Sequence, residues 1–502
     1  MAEPFYITTA ISYPNGKPHI GHAYEAIAAD VIARFQRSQG RDVRLVTGTD
    51  EHGLKMVQTA RGEGMDTRAY ADKMSQYFRR MCDDLDVSYD AFVRTTEPRH
   101  AEASIAIWKA MEAAGDLYLD RYEGWYSVRD EAFYDESELV GEGGERLSPQ
   151  GTPVEWTVEE TWFFRLSKYQ DQLLQLYRDV PGFIQPDSRR NEVIRFVEGG
   201  LKDLSVSRTS FDWGVPVPGS PGHVMYVWVD ALTTYMTGVG YPEREGDYDR
   251  FWPADIHLIG KDIVRFHAVY WPAFLMSANL PLPKQVFGHG FLLARGGEKM
   301  SKSAGNVVDP MALAERFGVD NLRYFLMREI SFGQDGSYSA EAIVTRCNAE
   351  LANSFGNLAQ RTLSMIFKNL NGIIPPAGEE GVDRALLDQV RGACNDLETE
   401  FGSLSFSQGL ETWMGAVFAC NAYVDEMAPW ALKKSDPERM ASVLGTLVVA
   451  IRALADAVAP VIPGSAEKLI VLIDAGKNGA PIMQPTPIFP RLELPEDAET
   501  TA

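Results

Sequence analysis

Residues 5–49 read FYITTAISYPNGKPHIGHAYEAIAADVIARFQRSQGRDVRLVTGT, and the texture of this stretch changes twice. Phe5 to Ile11 is a short β-branched and aromatic run, the pattern of a buried strand. Pro14, Asn15, Gly16 and Pro18 then mark a loop. From about Gly21 to Gln39, apolar residues recur at helical spacing (Ala23, Ile27, Ala28, Val31, Ile32, Phe35), and Gly40 ends the helix. Val43 to Thr49 reads as a second strand. Strand, crossover helix and strand form the unit of a parallel sheet covered by helices, so the chain opens as an α/β protein.

Outward from this unit the texture changes again. Residues 115–161 are rich in Gly, Glu and Asp, with aromatics at no clear period, which predicts an inserted subdomain. Strand-like apolar runs return at Val224 to Val229 and at Ile256 to Ile259. After Asn348, long helical patterns such as LANSFGNLAQRTLSMIF and ASVLGTLVVAIRALADAVAPVI predict an all-α bundle. The tail from Pro481 holds five prolines and reads as extended. There is no internal repeat and no low-complexity tract.

The 502 residues can hold two to four domains. With 45% apolar and 24% charged residues, the composition is that of a globular protein. The best candidate for a membrane span, Val448 to Ile462, is interrupted by Arg452 and Asp456. Cys82, Cys347, Cys394 and Cys420 lie far apart and fit reduced thiols better than a disulfide framework. The start, MAEPFYITTAIS, has neither a basic stretch nor an apolar leader, so a cytoplasmic protein is expected. Forty-eight basic residues against seventy acidic ones give −22, a balance that opposes nucleic-acid binding except through a locally basic face.

Two constellations carry chemistry. Pro18-His19-Ile20-Gly21-His22 stands where the first loop meets the helix. A helix N-terminus attracts anions, and histidines three apart share a face from which ring N–H groups can reach phosphate oxygens. Gly21 leaves room for a nucleotide to approach the backbone. Two capping histidines, or a metal pair, remain alternatives at this point. Lys299-Met300-Ser301-Lys302-Ser303, flanked by Gly296, Gly297 and Gly305, is a cationic loop able to close over a polyphosphate. Taken alone, it also fits a solvated surface loop.

As a pair, H-I-G-H followed by K-M-S-K-S resembles the signature of class I aminoacyl-tRNA synthetases. Further stretches narrow the resemblance to the methionyl enzymes. They are Ala10-Ile11-Ser12-Tyr13, Gly48-Thr49-Asp50-Glu51-His52-Gly53, Tyr226-Val227-Trp228-Val229-Asp230-Ala231 and Gly260-Lys261-Asp262-Ile263-Val264-Arg265-Phe266-His267. Asn357-Leu358-Ala359-Gln360-Arg361 and Ala428-Pro429-Trp430 resemble the family's anticodon-reading helices. The resemblance runs in order from about residue 5 to about residue 470.

The resemblance implies a Rossmann-like parallel-sheet catalytic domain in two halves (1–114 and 216–291). A connective subdomain (115–215) is inserted between them. A KMSKS and stem-contact region (292–347), an all-α anticodon-binding bundle (348–480) and the tail (481–502) follow. It implies that ATP and L-methionine form methionyl-adenylate, with methionine then passed to tRNA(Met), initiator or elongator. His19 and His22 would hold the ATP phosphates, and Lys299, Lys302 and Arg208 would neutralise the departing pyrophosphate. Gly21, Ser301, Gly260 and Asp262 complete the ATP site. Mg²⁺ would accompany ATP. Ile11, Tyr13, Trp228, Ala231, Tyr235, Ile263 and His267 match the methionine side-chain pocket, and Asp50 the carboxylate for the ammonium. Asn357, Arg361 and Trp430 match the anticodon readers. On residue type alone, Trp228, Tyr235 and Trp430 fit core packing equally well, and Asn357 and Arg361 fit a solvated stripe.

Many relatives hold zinc in the insertion. Here the corresponding positions are Ser127 and Asp130, then Ser148 and Gly151, so no zinc is expected and packing around Trp125, Tyr126, Phe133 and Tyr134 is expected instead. With no strand-rich appendix after the bundle, a monomer is expected. Sister enzymes for valine, leucine or isoleucine carry an editing insertion too long for this chain, and a cysteinyl enzyme would need thiolate-bound zinc. Small nucleotidyltransferases share a histidine-rich loop but lack the bundle. A non-catalytic paralogue could have lost the histidines, the lysines or Asp50, all of which are present. Lys302→Ala is expected to slow amino-acid activation by ~10²–10³-fold, the scale of a lost charge contact in the transition state, with methionine affinity unchanged. Steady-state kinetics with an unaltered turnover number would refute this.

Overall fold

Strand β1 (Pro4–Thr9) lies between two parallel neighbours, β2 (Asp42–Thr49) and, much later in the chain, a strand at Ile256–Gly260. In chain order, β3 (Ala91–Arg94) is followed by β4 (Leu117–Ser127), β5 (Ala132–Tyr134), β6 (Glu155–Phe164) and β7 (Ile184–Gln185). Then come β8 (Leu204–Ser205), β9 (Ser207–Arg208), β10 (Val224–Met225), β11 (Ile256–Gly260) and β12 (Val286–His289). The main sheet has the order β3-β2-β1-β11-β12-β7, all parallel. This computed structural model describes residues 2–127, 129, 132–141, 146–293, 308–477 and 479–494. The chain divides into two compact units, residues 1–29 with 36–289, and residues 30–35 with 290–502.

In the first unit the predicted strand–helix–strand is present, with the helix at Ile20–Ser38. Phe5 to Thr9 of β1 are all buried, as a β-branched central strand requires. The strand ends at Thr9, short of the predicted Ile11. Beyond it Ala10 N–H still bonds Leu258 O (3.0 Å), while Ser12 N–H turns to Gly48 O (3.0 Å). Gly48 is needed where it stands: a Cβ there would lie 1.9 Å from the Val93 carbonyl oxygen on β3. The predicted strand at Val224 to Val229 needs correction. Only Val224–Met225 is strand, paired with β9, and Val227–Thr237 is a helix. Ten of that helix's eleven residues are buried, and its polar residues Asp230, Thr233, Thr234 and Thr237 recur at helical spacing, a signal that lies beyond the Val224 to Val229 run.

After β3 comes a four-stranded antiparallel sheet, β5-β4-β6-β8, built on the long ladder from Leu117↔Phe164 to Tyr126↔Glu155 and completed by β8 from beyond β7. The segment 115–215 is thus shared out, because β7 within it joins the main parallel sheet. Ser127 and Ser148, at two of the family's metal-ligand positions, are fully buried. Thr152 joins them: its Oγ1 lies 2.6 Å from Ser127 Oγ and 2.8 Å from Ser148 Oγ. Asp130 lies outside the described residues. Trp125 packs edge-on against Trp156 (centroids 5.3 Å) with the Arg146 guanidinium 4.1 Å from its ring, so Trp156 is a partner the sequence did not announce.

The second unit is helical apart from a short parallel pair, β13 (Leu292–Leu293) and β14 (Gly336–Ser337). Helices span Gly381–Gly402, Phe406–Met427, Pro437–Val458 and Pro463–Lys477, with shorter ones before and between them. Pro437–Val458 is long and apolar enough to cross a membrane by length and composition, yet it is mostly buried and packed by its helical neighbours, as a core helix is. Arg323, fully buried, donates to the carbonyls of Val461 and Pro460 (3.0 Å each) and to Asp30 (2.6 Å). Residues 481–494 carry neither helix nor strand and bond within this unit: Leu492 exchanges two bonds with the Asn348 side chain (2.8 and 2.9 Å), and Gln360 reaches Pro485 O (3.0 Å).

Thr152→Val is expected to destabilise the insertion by about 1–3 kcal/mol, the cost of stranding buried hydroxyls, and EDTA dialysis is expected to leave the unfolding midpoint of the parent chain unmoved. Urea unfolding checks both. A parental midpoint in the variant would show that the hydroxyls contribute nothing.

Candidate functional site

In an open parallel sheet, ligands gather beyond the carboxyl ends of the strands where the connections diverge. Here that place is the end of β1, flanked by β2 and β11. His19 and His22 stand at the N-terminus of the Ile20–Ser38 helix with ring centroids 3.8 Å apart. Gly21 N–H donates to His19 Nδ1 (3.1 Å), and His19 N–H donates to His22 Nδ1 (3.1 Å). With both Nδ1 atoms accepting from the backbone, each neutral ring carries its proton on Nε2. Both rings therefore present an N–H donor away from the helix. A Cβ on residue 21 would lie 2.9 Å from the His19 ring, so this glycine makes room for the histidine. Phe78 packs edge-on to His22 (5.1 Å), and a pocket opens beside it, lined among others by Thr9, Ser12, Glu25 and Gly48.

Two groups of predicted pocket residues form around this point. One lies at the ends of β1 and β2. Asp50 is buried, its N–H bonded to Ser12 O (2.9 Å), which sets Ile11 to Tyr13 alongside it. Tyr13 accepts Met56 N–H at its hydroxyl (3.0 Å). The other lies on the Val227–Thr237 helix and after β11. Trp228, Ala231 and Tyr235 are spaced to share one helix face. Tyr235 Oη lies 2.6 Å from His267 Nε2, Trp228 meets His267 edge-on (5.9 Å), and His267 Nδ1 donates to Ile263 O (2.9 Å). Phe266 stacks on Trp228 at 3.9 Å. Burial drives the His267 imidazole down to about 4, so it is neutral, with Nε2 left to accept the Tyr235 hydroxyl proton. The Tyr6 hydroxyl donates to Tyr235 O and fixes that helix on β1.

Gly260 and Asp262 follow β11, with the Asp262 carboxylate close against Gly260. Near them is a pair the sequence reading missed: Glu25 and His289, joined at 2.8 Å. Burial raises the Glu25 carboxyl above its usual range against the pull of His289, and the charge of Asp262 pushes the same way. A second missed group is Asp230, which accepts from His52 and His100 at 2.5 Å each. Burial opposes its charge, but the two histidines hold its carboxyl down to about 2. Arg208 is buried, its guanidinium 4.6 Å from the Tyr226 ring and bonded to Ser205 Oγ (3.0 Å) and Ser207 O (2.7 Å). None of these bonds joins it to His19 or His22. Lys299, Ser301 and Lys302 lie outside the described residues. Among the described residues no group of three or more His, Cys, Asp or Glu is placed to hold a metal ion.

A separate site lies in the helical unit. Trp430 is half exposed (49%) on the short helix Pro429–Ser435, which the left-handed Ala428 (φ 43°) sets off from the helix before it. The Arg361 guanidinium stands 5.5 Å from its ring, Asn357 is exposed one turn earlier, and Lys433 and Lys434 are exposed beyond. The core reading of Trp430 is thus excluded; Trp413 is the buried tryptophan of these helices.

The family described as tRNA synthetases class I (M) matches residues 5–363, and the anticodon binding domain of methionyl tRNA ligase matches 374–484. A methionine–tRNA ligase of Brucella suis is 58% identical, covering 97% of this chain and 98% of its own. Among solved structures, Mycobacterium tuberculosis methionyl-tRNA synthetase in complex with methionyl-adenylate matches with a TM-score of 0.94 at 53% identity, over 97% of this chain and 100% of that one. The free form of the same enzyme matches at 0.88 and 50% identity, over 99% of each chain.

The state of His267 has a consequence for stability. Unfolded histidine, near 6.5, takes up a proton that the folded ring refuses until about 4. Stability from this group is full above pH 6.5 and is lost as pH falls toward 4, by about 3 kcal/mol. Urea midpoints measured from pH 7 to 4.5 should fall, and less steeply in His267→Gln. Equal slopes would assign the loss to other groups.

Proposed function

The chain belongs to the methionyl class I tRNA synthetases, and from that membership we propose which side chains carry its reaction. It is a ligase that activates methionine with ATP, releasing pyrophosphate, and transfers the methionine to tRNA. In the first step the methionine carboxylate attacks the α-phosphorus. Positioning and charge stabilisation supply the rate. His19 and His22 donate from Nε2 to the ATP phosphates, and this reading rests on one observation, the two backbone bonds that turn both Nδ1 atoms inward. Gly21, Gly260 and Asp262 frame the nucleoside, with Glu25 and His289 behind Asp262. Lys299, Ser301 and Lys302 close on the pyrophosphate. Arg208 contributes positive charge from its buried place.

Ile11, Tyr13, Trp228, Ala231, Tyr235, Ile263 and His267 take the methionine side chain. A neutral His267 suits an apolar, polarisable thioether, which packs well on aromatic edges. Asp50 takes the ammonium. Mg²⁺ arrives as the ATP chelate, held by phosphate oxygens and water. No zinc takes part; Ser127 and Ser148 stand at two of the positions where relatives would need metal ligands, and their hydroxyls meet Thr152 instead.

For tRNA, Trp430 offers a stacking face for an unpaired base, Asn357 and Arg361 read base edges, and Lys433 and Lys434 draw in the phosphates. Through this aromatic strip with its three cations the chain is taken to bind RNA against a net charge of −22, Arg361 also facing Asp425 at 3.7 Å. The reading keeps the order of domains expected from sequence, with β7, inside the 115–215 segment, assigned to the catalytic sheet. It takes initiator and elongator tRNA(Met) as substrates, a monomer as the working form and the cytoplasm as its place.

ATP–pyrophosphate exchange with each of the twenty amino acids is expected with methionine alone; exchange with another amino acid overturns the pocket. Trp430→Ala is expected to cut aminoacylation roughly 5- to 150-fold, the worth of one base stack, and to leave exchange intact. Equal loss in both assays would mean a folding defect instead.

A further inference from the structure

The two groups of pocket residues come from distant parts of the chain, and one buried carboxylate ties them together. Asp50 and His52 follow β2 on a four-residue turn that Gly53 closes at φ 104°. Asp230 sits on the Val227–Thr237 helix between Trp228 and Ala231. His52 Nδ1 and Asp230 Oδ2 are 2.5 Å apart, and on the far side His100 Nε2 meets Oδ1 at the same distance. His100 is itself lodged against Thr237 Oγ1 (2.9 Å), on the same helix as Asp230. Asp230 and His100 are fully buried and His52 is 8% exposed, so neither partner can be replaced by water.

The rest of the turn is held as firmly. Arg94 grips Glu51 with two bonds (2.7 and 2.9 Å), and Thr49 and Thr96 add their hydroxyls at 2.7 and 2.6 Å. Trp213 donates from Nε1 to Glu51 O (2.6 Å) and accepts Gly53 N–H at its carbonyl (3.3 Å), with its ring edge-on to His52 (5.7 Å). The Glu51 and Trp213 contacts fix the turn to β3 and to the 213 loop. The His52 bond reaches the helix bearing Trp228, Ala231 and Tyr235.

We infer that Asp230 is a positioning residue which, through His52, sets the distance between the ammonium-binding Asp50 and the wall that receives the methionine side chain. The inference rests on the reading of Asp50 given above. A carboxylate with two imidazole donors is a stiff joint, because charge-assisted bonds are shorter and stronger than neutral ones. Replacing it by an amide removes the charge and lets the two walls drift. A ligand that must touch both walls then loses affinity; one that touches only the side-chain wall does not.

The test compares L-methionine with its deaminated analogue, 4-(methylsulfanyl)butanoate, by direct titration and by competition in pyrophosphate exchange. In Asp230→Asn and in His52→Ala, methionine is expected to bind roughly 10- to 100-fold more weakly, the usual scale for an ångström-sized misplacement. The analogue's Kd and the KM for ATP should stay at parental values. His52→Asn, whose amide N–H stands where Nδ1 does, should recover most of the loss. Asp50→Asn serves as the reference and should lose methionine but not the analogue. If Asp50→Asn shows that selectivity while Asp230→Asn and His52→Ala weaken both ligands alike, or neither, the inference is overturned and the Asp50 reading stands. If Asp50→Asn shows no selectivity, the Asp50 reading falls and takes the inference with it. Should Asp230→Asn not fold, His52→Ala on the mouth of the cluster decides.

Discussion

Everything at the active site hangs on the placing of β1 between β2 on one side and β11 on the other. Both pairings are parallel, so three chain exits open at the same edge of the sheet. The exit from β1 carries Ile11, Tyr13 and the two histidines. The exit from β2 carries Asp50, and that from β11 carries Gly260 through His267. A one-residue slip in any of these strands would turn its side chains to the opposite face. The register is held by a strand buried along almost its whole length and by Gly48, where any side chain would collide with β3.

Around those exits the protein spends hydrogen bonds on fixing donors and acceptors. His19 and His22 are oriented by backbone amides, and His267 by a backbone carbonyl on one side and a tyrosine hydroxyl on the other. His257 follows the same rule. Trp271 donates to its Nε2 (3.2 Å) and Thr8 Oγ1 lies 2.7 Å from its Nδ1, while burial pushes the imidazole well below its usual range. Preorganised imidazoles need no rearrangement when charge develops, which is the main saving such a site can make.

The fold was legible wherever local pattern and tertiary environment agree. The opening strand–helix–strand and the helical second half follow from spacing. Legibility failed at Val227–Thr237 because the apolar run ending at Val229 reads as a strand, while the helical spacing of Asp230, Thr233, Thr234 and Thr237 begins only after it. It failed again at the Asp230 cluster, whose partners are 178 and 130 residues away, so no local pattern could join them. The H-x-x-H spacing announced a helix N-terminus, but it did not reveal that the glycine between the histidines accommodates a ring. Exposure settled what sequence left open at Trp430, while Trp413 on the preceding helix is buried.

The insertion supports one more conclusion. Residues 115–215 contain neither cysteine nor histidine, and the turns that meet at Ser127 and Ser148 are joined through Thr152 by hydroxyls. Thiolates that grip a metal can be oxidised, stripped by chelators or loaded with the wrong ion. Hydroxyls suffer none of these. The shape of this inserted sheet thereby stands apart from redox stress and from the trace-metal supply.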